Sequence, residues 1–425
     1  MTKPEAAKDS HNRPPGAATG HSSGSGIIVQ KYGGATLANP ELVKQVATRI
    51  AELSKSGTKV VAAVSAMGKT TNQLLDLANQ VSSQPNRREL DMLLTTGERV
   101  SMALVSMALH DLGCDAISFT GSQAGILTND AHVNANIIDV KAHRVLEALQ
   151  QNKVVVLAGF QGVSPETKEI TTLGRGGTDT TAVAMAAFLK ADRCEILKDV
   201  AGVFTADPKV IRQARPIKSL SYDQMLEMTF WGAKVLHYRS VELAKLKNVR
   251  LYIGPANTSL DQGTLVPHSP KEAKMFETTK VLGLNSHEQV LEIEIKTDLL
   301  SEALKTLNQF LDKNEIAVPQ ILFTESSNGI TQIFLTGPSE IVEAITKHGK
   351  IASSSESIFV KNDNLCTVTA TCTGVTTPEI SQNIFQTLSK NKIAASRVQY
   401  SAMSVTIYIE KNRKELALQA LHSLI

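Results

Sequence analysis

Between Ile27 and about Ile253, short and almost wholly apolar runs alternate with longer segments of helical period. The runs are Ile27–Lys31, Val60–Val64, Ala116–Phe119, Val154–Ala158 and Glu195–Leu197. A strand without polar alternation is covered on both faces, which is the condition of a parallel strand flanked by helices. Helical period falls on Pro40–Leu53, Thr71–Val81, Glu89–Leu109 and the Ala-rich Thr180–Leu189. The alternation predicts an α/β domain with a mainly parallel sheet. Such sheets bind ligands beyond the carboxyl ends of their strands. The glycines and polar residues lie at those ends, in Lys31-Tyr-Gly-Gly34, Ser65-Ala-Met-Gly68 and Gly159-Phe-Gln-Gly162.

A turn-rich linker, Gly254–Gly263, ends this rhythm. The order then becomes βαββαβ: strand Val290–Ile295, helix Leu299–Leu311, strands Val318–Phe323 and Thr331–Leu335, helix Ile341–Lys347 and strand Ser357–Val360. It starts again with strand Cys366–Cys372, helix Pro378–Ser389, strands Ser396–Ser401 and Ser404–Ile409, and helix Arg413–Leu421. The second unit lacks its sixth element, and a spare strand, Val281–Leu284, precedes the first. That strand would complete the second unit and nest the pair, as two ferredoxin-like modules. The expected division is a disordered extension over 1–26, a catalytic domain over 27–264 and a regulatory region over 265–425.

Bulk properties narrow the function. With a net charge of +3 and no long Lys/Arg run, nucleic-acid binding is not expected. No stretch approaches the ~20 apolar residues of a membrane span, and the extension has no signal-peptide core. Cys114, Cys194, Cys366 and Cys372 form no C-x-x-C or zinc-finger pattern. They read as buried free thiols, which fits a reducing cytoplasm.

Several loops carry candidate chemistry. In Lys31-Tyr-Gly-Gly34, Gly33 and Gly34 allow backbone N–H groups close to phosphate oxygens, and Lys31 would neutralise charge there. The same dipeptide is also an ordinary turn. Gly68-Lys69-Thr70 resembles the end of a P-loop, but the upstream glycine that motif requires is Ala63. Ser65-Ala-Met-Gly-Lys-Thr-Thr71 then reads as a strand–loop–helix junction whose hydroxyls and N–H groups hold a polar ligand, or as a segment in which Thr70 or Thr71 caps the helix. Gly174-Arg-Gly-Gly-Thr-Asp-Thr-Thr181 surrounds Arg175 with glycines before a helix. Arg175 suits a bidentate grip on a carboxylate. Asp179 falls in the first helical turn, where the helix dipole alone would favour it. Glu98 lies in an apolar helix and would pair with an ammonium, or with Arg99 at the surface. Lys234 is a second phosphate partner or a solvated charge. Asp199, Asp207 and the loop Gly202–Lys209 would enclose a nucleotide base or form a solvated turn.

Taken together and in order, the motifs resemble the aspartate kinase branch of the amino acid kinase family. They are Gln30-Lys-Tyr-Gly-Gly, Val64-Ser-Ala-Met-Gly-Lys-Thr-Thr, Leu93-Leu-Thr-Thr-Gly-Glu98, Phe119-Thr-Gly-Ser-Gln-Ala-Gly125, Ala158-Gly-Phe-Gln-Gly162, Thr171-Thr-Leu-Gly-Arg-Gly-Gly177, Gly202-Val-Phe-Thr-Ala-Asp-Pro208 and Gly232-Ala-Lys-Val-Leu-His237. The C-terminal repeat resembles the two ACT modules of that family. The resemblance implies an αβα sandwich and ATP-dependent phosphorylation of the L-aspartate side chain, the first step toward lysine, threonine and methionine. By position, Lys31, Asp179 and Lys234 would be catalytic. Ser65, Thr71, Glu98 and Arg175 would bind aspartate. Lys31, Gly33, Gly34, Lys198, Asp199, Phe204, Lys209, Lys234 and Val235 would bind ATP. Mg2+ would bridge ATP oxygens without a protein cage of its own, and the ACT modules would form a homodimer.

Ala35, Lys198, Phe204, Lys209 and Tyr238 depart from the residues usual in that family, and none removes a charged catalytic group. Two other readings stay open: a degenerate amino-acid sensor, and a kinase of this fold acting on another small acid. ACT modules usually carry a glycine between first strand and first helix, where N–H groups meet an effector's carboxylate. Here those segments read Thr297-Asp-Leu-Leu-Ser-Glu302 and Thr376-Thr-Pro378-Glu379. Weak inhibition or none by lysine and threonine is therefore expected.

Overall fold

The computed structural model describes residues 25–256, 262–267, 279–314, 316–350 and 358–425. The expected extension lies outside these as far as residue 24, and so does the linker over 257–261. The first part runs β1 (Ile27–Tyr32), α1 (Pro40–Lys55), β2 (Lys59–Val64), α2 (Thr70–Val81), α3 (Arg87–Leu94), α4 (Thr96–Asp111), β3 (Ala116–Phe119), β4 (Ile126–Thr128) and β5 (Ile137–Val140). It continues α5 (His143–Gln150), β6 (Val154–Ala158), β7 (Gln161–Val163), β8 (Ile170–Thr172), α6 (Gly177–Leu189), β9 (Arg193–Lys198), α7 (Tyr222–Phe230), α8 (Tyr238–Leu246), β10 (Leu251–Pro255) and β11 (Thr264–Val266).

Seven strands form the main sheet in the order β11-β10-β9-β1-β2-β6-β3. All pair in parallel except β11, which closes one edge antiparallel to β10. Two separate apolar clusters cover its faces, one around α6 and α8 and the other around α1 and α4. This is the αβα sandwich, and it explains why the strands read as unbroken apolar runs. α1 begins where Asn39 accepts a hydrogen bond from the Leu42 N–H, with Pro40 at the first helical position. α6 is buried along almost its whole length, which is why its sequence is Ala-rich rather than amphipathic. A small second sheet, β5-β4-β7-β8, stands beside the main one; its strands of three or four residues are too short to show a period.

The expected helix over Glu89–Leu109 is two helices that meet at Thr95. The Thr95 and Thr96 hydroxyls donate back to the carbonyls of Met92 and Leu93, which competes with the helical ladder. Gly97 then lies so close to the β2–α2 loop that a Cβ on it would be 2.8 Å from the Ala66 Cβ.

The C-terminal part runs β12 (Val281–Asn285), β13 (Val290–Ile295), α9 (Leu300–Lys313), β14 (Gln320–Ser327), β15 (Ile330–Thr336), α10 (Ser339–Lys350), β16 (Ile358–Cys372), α11 (Pro378–Lys390), β17 (Arg397–Tyr400), β18 (Ser404–Glu410) and α12 (Lys414–His422). The strands expected at Ser357–Val360 and Cys366–Cys372 are one strand, β16, of 15 residues. Its first half pairs with β13 and its second half with β18, so both units share one sheet. The polar run between them stays extended because Lys361 bridges Glu292 and Glu294 on β13, at 3.1 and 2.9 Å. β12 pairs antiparallel with the Cys372 end of β16, beside the second unit. Each unit packs its helices on its own apolar cluster. All four cysteines are buried free thiols.

Candidate functional site

The parallel register brings the carboxyl ends of β1, β2 and β9 together: Lys31 lies opposite Ala63 on one side and Ile196 on the other. The buried Lys31 ammonium forms an ion pair with Asp179 Oδ1 at 2.7 Å. Asp179 comes from the first turn of α6, so its charge also meets the favourable end of the helix dipole. Lys198 ends β9 next to this pair. Burial lowers its pKa, Asp179 opposes that and Lys31 adds to it. Two lysines gathered about one carboxylate suit a polyphosphate, and a divalent ion would take its remaining ligands from phosphate and water. Among the described residues, no group of three His, Cys, Asp or Glu converges on a metal position.

Gly33 and Gly34 lead into a short 3-10 turn over Gly34–Leu37. The Gly34 carbonyl accepts from the Gly68 N–H at 3.0 Å, and a Cβ on Gly34 would sit 2.7 Å from the Ala66 carbonyl oxygen. Only glycine lets the loops after β1 and β2 approach this closely. Ser65 follows β2 and donates its hydroxyl to Thr178 Oγ1 at 3.1 Å, joining the β2 loop to α6. Thr71 is half-buried in the first turn of α2.

Glu98 brings a second buried carboxylate to the site. It is 3% exposed, and its Oε1 accepts from the Ala66 N–H at 3.1 Å. Its Oε2 is buried without a hydrogen-bond partner. Burial pushes its pKa up to about 7, against the lowering effect of the Ala66 N–H. A substrate ammonium would supply what Oε2 lacks.

Arg175 is exposed at the crest of its loop, between Gly174 and Gly176, both in the left-handed region at φ 70°. A Cβ on Gly176 would be 2.3 Å from the His237 Cβ, so the loop rests on the segment before α8. Burial holds the His237 imidazole pKa below its ordinary value; Arg239 and then Arg175 add to that, and Asp179 opposes it.

Not every expected residue joins this centre. Lys234 is exposed and forms an ion pair with Glu288, from the turn between β12 and β13. Val235 next to it packs against the main apolar cluster. Asp199 and Lys209 are exposed, and the Lys209 N–H donates to Asp207 Oδ1 at 2.9 Å. Phe204 bridges to Pro216 within its own loop. That loop docks on the C-terminal part, where Thr205 Oγ1 lies 3.0 Å from His422 Nε2 and Ala206 and Ile211 enter the second unit's core.

Sequence reasoning missed Thr178, His237, Asp91 and Arg239. Thr178 and His237 stand inside motifs whose other members drew attention. Asp91 carries the signal that singled out Glu98, a carboxylate within an apolar helical stretch.

The model of the amino acid kinase family matches residues 26–255. Among curated relatives, an aspartokinase of Corynebacterium glutamicum is 40% identical over 408 residues, covering 93% of this chain and 95% of its own. Aspartokinase 2 of Bacillus subtilis is 40% identical over 403 residues, covering 93% and 97%. Among solved structures, Escherichia coli aspartokinase III in complex with aspartate and ADP superposes with a TM-score of 0.75 at 21% identity, over 94% of this chain and 99% of that one. The aspartate kinase of Synechocystis gives 0.53 at 33% identity, over 93% of this chain and 68% of that one. The matched span holds the whole parallel sheet, the Lys31–Asp179 pair and Glu98, so the chain belongs to the amino acid kinase family.

Proposed function

We propose that this chain transfers the γ-phosphoryl group of ATP to the side-chain carboxylate of L-aspartate, giving 4-phospho-L-aspartate and ADP. The observation that carries the reading is Glu98. This buried carboxylate, with one unpartnered oxygen, is bonded to the Ala66 N–H in the loop after β2, whose Ser65 hydroxyl reaches Thr178, the neighbour of the Asp179 that pairs with Lys31. It calls for a cationic substrate group next to a phosphate site, and an α-amino acid supplies one. The relatives and solved structures named above carry aspartokinase names, and one holds aspartate and ADP.

Arg175 takes one aspartate carboxylate and Glu98 the ammonium, which leaves the other carboxylate facing the phosphate pocket. Ser65 and Thr71 complete the grip. The nucleophile is ionised at neutral pH, so no general base is needed. An oxygen of that carboxylate forms the new bond to the γ-phosphorus, and the bond from phosphorus to the β–γ bridging oxygen breaks, leaving its electrons on ADP. Lys31 offsets the charge that develops on the transferring group, with Asp179 holding its ammonium in place. The Gly33 and Gly34 N–H groups and Lys198 hold the ATP phosphates. Lys234 leaves Glu288 for the phosphates when ATP binds, and Val235, Phe204, Asp199 and Lys209 border the nucleotide. Mg2+ supplies charge neutralisation between phosphates when bound. The shared C-terminal sheet is the surface for a homodimer. The four buried thiols fit a cytoplasmic protein, and no helix among the described residues is long and apolar enough to cross a membrane.

The test is ADP release with L-aspartate, with L-glutamate and with neither. Aspartate-dependent release supports the reading; equal release in all three refutes it.

A further inference from the structure

The carboxylate of Asp91 is fully buried in α3, and nothing in the phosphoryl transfer uses it. Its Oδ1 accepts from the Thr172 hydroxyl at 2.6 Å and from the Val133 N–H at 3.1 Å. Its Oδ2 lies 3.2 Å from the same N–H and 2.7 Å from His132 Nδ1. Thr172 ends β8, three residues before Arg175, and the segment at 132–136 packs under the same loop. The Ala135 N–H donates to the Thr172 carbonyl at 2.8 Å, and a Cβ on Gly174 would be 2.8 Å from Asn134 Oδ1. Arg239 clamps the assembly from the other side, through the Leu173 and Ala135 carbonyls at 2.9 Å each and the Asn134 and Asn136 side chains at 3.0 and 2.8 Å.

The other end of the brace is the helix pair itself. α3 and α4 meet at Thr95, whose carbonyl accepts from Gln161 Nε2 at 3.2 Å, and Glu98 stands in the first turn of α4. Asp91 and Glu98 thus project from one hinged unit, Asp91 to the Arg175 loop and Glu98 to the ammonium position. A buried carboxylate with this many charge-assisted hydrogen bonds fixes the groups it touches.

We propose that Asp91 is a positioning residue for the amino-acid substrate: by anchoring β8 and the 132–136 segment to the α3–α4 unit, it sets the span between Arg175 and Glu98, which take the carboxylate and the ammonium borne on the substrate's α-carbon. This rests on the roles proposed above for Arg175 and Glu98. Because ATP is held at the ends of β1 and β9, its affinity does not depend on this span.

The experiment compares wild type, Asp91→Ala, Asp91→Asn, Thr172→Val and Arg175→Ala for KM of aspartate and KM of ATP. Asp91→Ala is expected to raise the KM of aspartate about tenfold and leave that of ATP within about twofold. Asp91→Asn, whose amide oxygen still accepts from Val133 and Thr172, restores most of the loss. Thr172→Val is expected to raise the KM of aspartate several-fold and decides the matter if Asp91→Ala does not fold. A KM of aspartate unmoved in the Asp91→Ala and Thr172→Val variants, or moving together with that of ATP, overturns the inference. If Arg175→Ala alone raises it, only this inference falls. If Arg175→Ala leaves it at the wild-type value, the proposed substrate grip falls first.

Discussion

Replacing Glu98 with Gln separates binding from stability, because the structure asks opposite things of this side chain. Burial raises its pKa from 4.5 to about 7, which corresponds to about 3 kcal/mol between its two protonation states in the fold. The folded-state value lies above the unfolded one. The contribution is therefore fully present below about pH 4.5, is lost as pH rises to about 7, and stays lost above that. Glu98→Gln removes the cost of ionisation, and its amide oxygen still accepts from Ala66. The variant is expected to melt several degrees above wild type at pH 8, on the scale of about 2–4 °C per kcal/mol for a domain of this size. The difference should vanish near pH 5. Aspartate binding asks the reverse, since an ammonium pairs only with the ionised form. Wild-type kcat/KM for aspartate should fall on the acid side with an apparent pKa of about 7, and Glu98→Gln should lose that limb. The lost charge-assisted hydrogen bond lowers its plateau about 10- to 100-fold. Differential scanning fluorimetry at pH 5 and 8, with steady-state kinetics over the same range, reads both effects. A variant no more stable than wild type at pH 8, with an unchanged KM for aspartate, refutes the reasoning.

Three further predictions follow from the same contacts. Asp179→Ala leaves the buried Lys31 ammonium unpaired, a loss of about 3–5 kcal/mol in stability, and should lower kcat at least about 100-fold with a smaller change in KM for aspartate; wild-type kcat removes Asp179 from the site. Gly34→Ala places a Cβ 2.7 Å from the Ala66 carbonyl oxygen, forces the loops after β1 and β2 apart and should raise the KM of ATP more than that of aspartate; equal effects place the turn outside the phosphate site. Lysine and threonine, alone or together, should inhibit weakly or not at all. The start of α9 already faces the Glu302 carboxylate, held by the Thr297 hydroxyl at 3.0 Å, and α11 carries Glu379 in its first turn. Inhibition below millimolar concentration in the aspartate-dependent assay contradicts this.

The parallel sheet was legible because strands covered on both faces must be apolar throughout, as in Val60–Val64 and Val154–Ala158. The break at Thr95 was not, since an unbroken apolar period hides hydroxyls that bond back to carbonyls. Nor was the length of β16, whose central polar run is held extended by cross-strand ion pairs invisible to periodicity. In the site, Lys31 and Asp179 were each legible from the glycine loops, but their pairing depends on β1 lying next to α6, far apart in sequence. Ser65 and Thr178, 113 residues apart, meet for the same reason. Lys234 shows the converse: its motif is plain in the sequence, while its partner Glu288 belongs to the C-terminal part.

The most direct test of the central claim is to trap the product. Wild-type protein with ATP, Mg2+, L-aspartate and hydroxylamine should yield aspartyl hydroxamate in proportion to ADP, and Lys31→Met should yield neither above background. ADP formation with no hydroxamate, or equal hydroxamate from Lys31→Met, would contradict phosphorylation of a carboxylate at this site.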